Sequence, residues 1–190
     1  MPEWLLPPNV ITYVRLLLAP LGALAIADGR PVEGLWLVLV AGISDGLDGF
    51  LARQFRWRSR LGSYLDPLAD KLLLVLVFFA LAIAGSLHWS VLVLFGIRDV
   101  WILGMVAFAW ARTTVRDFPP RLPGKLTTVF QIALALFLLV ENAYPHLSPP
   151  GLATLALVLA CAASVVSGVD YTVIAWKRYR AYKNSQPGTA

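Results

Sequence analysis

Asp45-Gly46-Leu47-Asp48-Gly49-Phe50-Leu51-Ala52-Arg53, followed after eight residues by Gly62-Ser63-Tyr64-Leu65-Asp66-Pro67-Leu68-Ala69-Asp70, sets four carboxylates at fixed spacing within and between long apolar runs. An ionised side chain at mid-membrane depth costs roughly 2.5–3.5 kcal/mol on insertion scales. Four such groups together call for a bound cation to offset them. The stretch therefore predicts a metal site inside, or at the edge of, a membrane helix bundle.

The rest of the chain supplies the bundle. Apolar residues make up 58% of its 190 residues, and the mean hydropathy is +0.71. Soluble domains are about 45–50% apolar and rarely repeat apolar runs near 20 residues. The fold class expected is all-α and integral to the membrane, with six transmembrane helices in one bundle. The spans read as 10–28, 32–52, 62–85, 89–111, 123–141 and 151–176, each long enough to cross about 30 Å of hydrocarbon with some tilt. Residues 1–183 form this transmembrane domain, and the polar tail 184–190 is expected to be disordered. Met1-Pro2-Glu3-Trp4 lacks the basic stretch of a cleaved leader, so the first run is expected to stay as a helix.

Charge gives the orientation. One set of connections holds Arg53, Arg56, Arg58, Arg60, Arg112, Arg116, Arg121, Lys125, Lys177, Arg178, Arg180 and Lys183. The other holds Arg30 with Asp28, Glu33, His88, Glu141 and His146. The positive-inside rule puts both termini and the 53–61 and 112–122 loops in the cytoplasm. The expected location is a bacterial inner membrane, with the acids facing the cytoplasm and no nucleic-acid partner. Most of these loop cations, Arg112 and Arg116 included, read as topology determinants and lipid anchors. His88 and His146 fall in external turns, away from the acids. Cys161 reads as a small packing residue. Residues 1–8 read as irregular, Asn9 as the cap of the first helix, and Arg15 as a cation that snorkels to the cytoplasmic face. Trp4, Trp57, Trp89, Trp110 and Trp176 fall near span ends, as an interfacial belt does.

Residues three and four apart share a helix face. Asp45, Asp48, Gly49 and Ala52 therefore form one stripe at the cytoplasmic end of span two, and Gly62, Asp66 and Asp70 form another at the start of span three. A short basic loop makes the spans antiparallel neighbours, so the stripes are expected to face each other. Carboxylate oxygens favour Mg²⁺, Mn²⁺ or Ca²⁺ over zinc, and no His or Cys joins the cluster. Four carboxylates suit two divalent ions, a common arrangement for displacement at phosphorus. Gly49, Ala52 and Gly62 leave room for close helix approach or for a diphosphate against the backbone. Arg53 is placed to bind a phosphate, Pro67 leaves the Ser63 carbonyl without its helical donor, and Asp70 is placed to accept a proton from an attacking hydroxyl. The rival class is a small ion or proton-coupled transporter, in which such acids line a pathway. It would need polar residues in the external halves of spans two and three, which are almost purely apolar.

The pattern Asp-x2-Asp-Gly-x2-Ala-Arg-x8-Gly-x3-Asp-x3-Asp resembles that of the CDP-alcohol phosphotransferases, and every fixed position is present. The resemblance implies an enzyme that displaces CMP from a CDP-linked lipid with an alcohol acceptor. It implies Asp45, Asp48, Asp66 and Asp70 as metal ligands for Mg²⁺ or Mn²⁺, and Asp70 also as general base. It implies a CDP-binding set of Asp45, Asp48, Gly49, Ala52, Arg53, Gly62 and Ser63, CDP-diacylglycerol as a substrate partner, and a homodimer. Asn9-Val-Ile-Thr12-Tyr-Val-Arg15, Asp66-Pro-Leu-Ala-Asp-Lys71 and Gly124-Lys125-Leu-Thr-Thr128-Val-Phe-Gln131 are similar to the branch that makes anionic phospholipids. Within it, Arg98-Asp99-Val100 and Ser167-Gly-Val-Asp170-Tyr171 resemble the cardiolipin synthases, whose acceptor is phosphatidylglycerol. Glycerol 3-phosphate, the acceptor of phosphatidylglycerophosphate synthases, is the alternative. Lys71, Arg98 and Lys125 are the cations expected to bind an acceptor phosphate. Arg98 lies in an apolar span and needs a partner. Asp99 does not share its helix face, which leaves Asp170 as a candidate.

Overall fold

The computed structural model describes residues 7–54, 60–112 and 122–185. Within these helices the side chains of residues 8, 47–54, 60, 61, 63, 64, 109–112 and 181–185 also lie outside the description. The described residues form six α-helices, α1 Pro7–Ala27, α2 Pro31–Gln54, α3 Arg60–Ile83, α4 Trp89–Arg112, α5 Leu122–Ala143 and α6 Leu152–Ser185, with a short 3-10 turn at Pro145–Leu147 and no strand. Asn9–Ala27, Trp89–Phe108, Leu122–Ala143 and Leu152–Arg180 are long and apolar enough to cross a membrane, consistent with an integral membrane protein. The two helices outside that group, α2 and α3, are those carrying the motif acids.

Pro7 and Asn9 both lie within α1, so Asn9 is helical instead of capping the helix. Residues 1–6 and the tail from 186 lie outside the described residues. The α1–α2 turn is tight: Gly29 adopts φ +76°, and Arg30 bonds Glu33 at 2.9 Å and Asp28 at 3.5 Å.

The helices group into two compact units, Met1–His88 with Ala135–Leu152 and Trp89–Leu134 with Ala153–Ala190. In the first, α1 packs along both α2 and α3, which meet each other far less among the described residues. Ala19, Ala41 and Ala69 are buried, so small side chains let backbones approach. α1 and α2 pack tightly at Gly22 and Gly34: a Cβ on Gly34 would collide with Ile26 and come within 3.2 Å of the Gly22 carbonyl oxygen. The outward face of α1 is apolar, with Val10, Val14, Leu17, Leu21 and Leu24 all exposed. Its inward face carries Asn9 at 2%, Thr12 at 0% and Arg15 at 0% exposure. A helix that hides its polar residues and displays its leucines is built for a lipid solvent, where backbone bonds are met internally and apolar side chains face outward. In the second unit, Thr127 on α5 donates to the Ala163 carbonyl of α6 at 2.9 Å, and Trp101 on α4 donates to Thr172 of α6 at 2.8 Å.

Candidate active site

Asp45 lies on α2, and Asp66 and Asp70 lie one turn apart on α3, with buried Ala69 between them. These acids meet through α1. Arg15 Nη1 donates to Asp70 Oδ1 at 2.6 Å and lies 2.9 Å from Asp45 Oδ1. Thr12 Oγ1 donates to Asp66 Oδ1 at 2.9 Å. Asp45 of the first stripe and Asp70 of the second thus come together at one guanidinium nitrogen of α1, while Asp48, Gly49 and Ala52 of the first stripe lie outside the described side chains. The snorkelling expected of Arg15 is thereby corrected. A buried guanidinium without carboxylates would be costly, and Asp45 and Asp70 supply its partners.

Asp45 and Asp70 are each 46% exposed, whereas Arg15 is 0% exposed. The acids form an open rim over a closed floor. Three described carboxylates against one guanidinium leave the cluster negative. Their hard oxygens, with no His or Cys, fit a divalent cation such as Mg²⁺ or Mn²⁺. Among the described residues, which leave out the Asp48 side chain, no three acids close on a single point. The side chain of the fourth acid, Asp48, lies outside the description, as do those of Ala52, Arg53 and Ser63 and the surroundings of Gly49. Their backbones are helical, on α2 and α3. Gly62 is buried in the first turns of α3.

The expected acceptor cations fall in both units. Lys71 is exposed on α3 beside Asp70 in the first. Arg98 and Lys125 belong to the second. Arg98 Nη1 bonds Asp99 at 2.9 Å and Nη2 bonds Ser167 of α6. The pairing with Asp99 corrects the sequence expectation, because the long arginine stem curls back to a neighbour that a short side chain could not reach. Gly124, at the start of α5, lies against this group: a Cβ there would sit 3.4 Å from the Tyr171 hydroxyl and 3.7 Å from Arg98 Nη2. Exposed Lys125 is the next residue. His88 follows the end of α3 opposite to its acids, and His146 lies in the 3-10 turn. Thr12 and Arg15 are the contacts that the sequence reading did not place at the acids. Their signal was the polar stripe Asn9, Thr12, Arg15 at three-residue spacing on an otherwise apolar helix.

The profile of the CDP-alcohol phosphatidyltransferase family matches residues 5–166. The chain belongs to this family. Among named relatives, a probable phosphatidylglycerophosphate synthase of Mycobacterium tuberculosis is 31% identical over 170 residues, covering 86% of this chain and 78% of the relative. The CMP-forming cardiolipin synthase of Homo sapiens is 38% identical over 108 residues, covering 56% of this chain and 36% of its own. The crystal structure of the Mycobacterium tuberculosis phosphatidylinositol phosphate synthase with CDP-DAG bound shares the fold, with a TM-score of 0.64 at 23% identity over 90% of this chain and 87% of that one. The same synthase in complex with manganese and citrate aligns with a TM-score of 0.64 at 23% identity, over 90% and 83% of the two chains.

Proposed function

We propose that this CDP-alcohol phosphatidyltransferase moves the phosphatidyl group of CDP-diacylglycerol onto phosphatidylglycerol, forming cardiolipin and CMP. The observation that carries the transfer chemistry is the open rim of Asp45, Asp66 and Asp70 held by Arg15 and Thr12. Asp70 takes the proton of the acceptor hydroxyl. The hydroxyl oxygen forms a bond to the β-phosphorus, the bond from that phosphorus to the bridging oxygen breaks, and the electron pair leaves on CMP. Asp45, Asp48, Asp66 and Asp70 would hold two Mg²⁺ or Mn²⁺ ions, which would offset negative charge on the diphosphate. Gly49, Ala52 and Gly62 leave space for the CDP moiety, Arg53 binds its phosphate, and Ser63 completes that set.

The acceptor reading rests on the second unit. Arg98 is fixed by Asp99 and Ser167 beside Gly124 and Tyr171, a group built from the residues that resemble cardiolipin synthases. Arg98 and Lys125 of this unit, and Lys71 of the first unit, are each proposed as a cation for an acceptor phosphate. Glycerol 3-phosphate is the second reading, favoured by the longer match to a probable phosphatidylglycerophosphate synthase. The six helices form a six-span bundle with cytoplasmic termini and a cytoplasm-facing site, following the basic loops. The protein works as a homodimer in a bacterial inner membrane. Mass spectrometry of products, with each acceptor supplied separately, tests the choice. Cardiolipin from phosphatidylglycerol alone is expected; phosphatidylglycerophosphate from glycerol 3-phosphate alone would reverse it.

A further inference from the structure

Two groups that hold the acids, Arg15 and Thr12, touch no reacting atom in the chemistry above. Arg15 and Thr12 are fully buried, so neither meets a ligand that approaches the exposed oxygens of Asp45 and Asp70. Each nevertheless binds a motif acid directly. One nitrogen of Arg15 serves an acid from α2 and an acid from α3, while these two helices scarcely touch among the described residues. Arg15 of α1 therefore ties the α2 acid to an α3 acid at one nitrogen. The bonds to Arg15 and Thr12 engage Oδ1 of Asp45, Asp66 and Asp70, so all three acids are held from the α1 side. A charge that only neutralised the acids could do so from the exposed side; placing it beneath them fixes their orientation.

We propose that α1 is the positioning wall of the active site. Arg15 holds Asp70 in register with Asp45, Thr12 holds Asp66, and both act through these acids without touching substrate. The inference rests on the roles given to the acids above.

The test uses the full chain in lipid nanodiscs with CDP-diacylglycerol, Mn²⁺, phosphatidylglycerol and glycerol 3-phosphate. Arg15→Met is expected to lower kcat for CMP release about a hundredfold, the scale of an ångström-sized misplacement. The KM for CDP-diacylglycerol stays within about threefold, as when an interaction is lost only in the transition state. Mn²⁺ bound per folded protein, read by electron paramagnetic resonance, keeps its wild-type stoichiometry. Arg15→Lys regains about tenfold of the rate, since an ammonium carries donors enough for both oxygens. Thr12→Val keeps the shape and charge of the wall and carries the test should Arg15→Met fail to fold. It is expected to lose about tenfold in kcat with KM unchanged, and Thr12→Ser to recover it. Folded Arg15→Met or Thr12→Val protein with wild-type kcat, or with a change confined to KM, overturns the proposal. A wild-type protein that releases no CMP sinks the transferase reading instead.

Discussion

At the residue scale, Asp70 carries a burden that Asp45 and Asp66 do not share. It is the base of the proposed transfer and the acid to which Arg15 makes its shorter bond, 2.6 Å. Asp70→Asn keeps the volume and much of the hydrogen bonding but cannot accept the proton. Turnover is expected to fall about a thousandfold, within the range of general-base contributions, while equilibrium binding of CDP-diacylglycerol persists. A near-normal rate would remove Asp70 from that role. The motif acids were legible in the sequence because their spacing fixes a helix face and their chemistry fixes a ligand class. Arg15 was not placed among them. A cation within two turns of a span end has two destinations, the lipid headgroups and a neighbouring acid, and only the helix packed against it decides between them. Arg98 was misread for a related reason. Face geometry describes Cβ positions, and a side chain as long as arginine reaches beyond its own face to Asp99.

At the element scale, all six spans expected from hydropathy appear as helices, with most ends within a few residues of those expected. Apolar length specifies a membrane helix strongly, because no other open structure satisfies its backbone there. The neighbours of each helix were less legible. The short basic loop implied that α2 and α3 are neighbours, and Asp45 and Asp70 share one Arg15 nitrogen; that α1 lies along both helices was not announced by any loop. Glycines mark where that packing is tight. Gly34→Val would drive methyl groups into Ile26 and the Gly22 carbonyl, an overpacking that costs about 1–3 kcal/mol. Gly42, on the same helix, has open space around its Cβ direction. Gly42→Ala is expected to raise stability by up to about 1 kcal/mol through helix propensity. Thermal unfolding of the two variants in detergent checks the pair: the midpoint should fall for the first and hold or rise for the second. The reverse order would place the α1–α2 contact elsewhere.

At the scale of the whole molecule, the described acids outnumber the guanidinium that holds them, and the surplus negative charge faces outward. A transporter would continue that polarity across the membrane. Beyond Lys71, α3 instead runs through Leu72, Leu73, Leu74 and Val75 to Ile83 without another charge. Polarity concentrated at one end suits chemistry on a headgroup more than passage of an ion. Family membership fixes the reaction class, and the donor set fits a divalent metal, so the central claim is that these acids make the protein release CMP from a lipid donor. The most direct measurement is CMP formation by the purified protein in nanodiscs with CDP-diacylglycerol and both acceptors, before and after chelation. The account predicts CMP that depends on acceptor, stops with the chelator and returns with Mn²⁺. CMP release that persists in the fully chelated protein, or ion flux in sealed vesicles without any CMP, would contradict it.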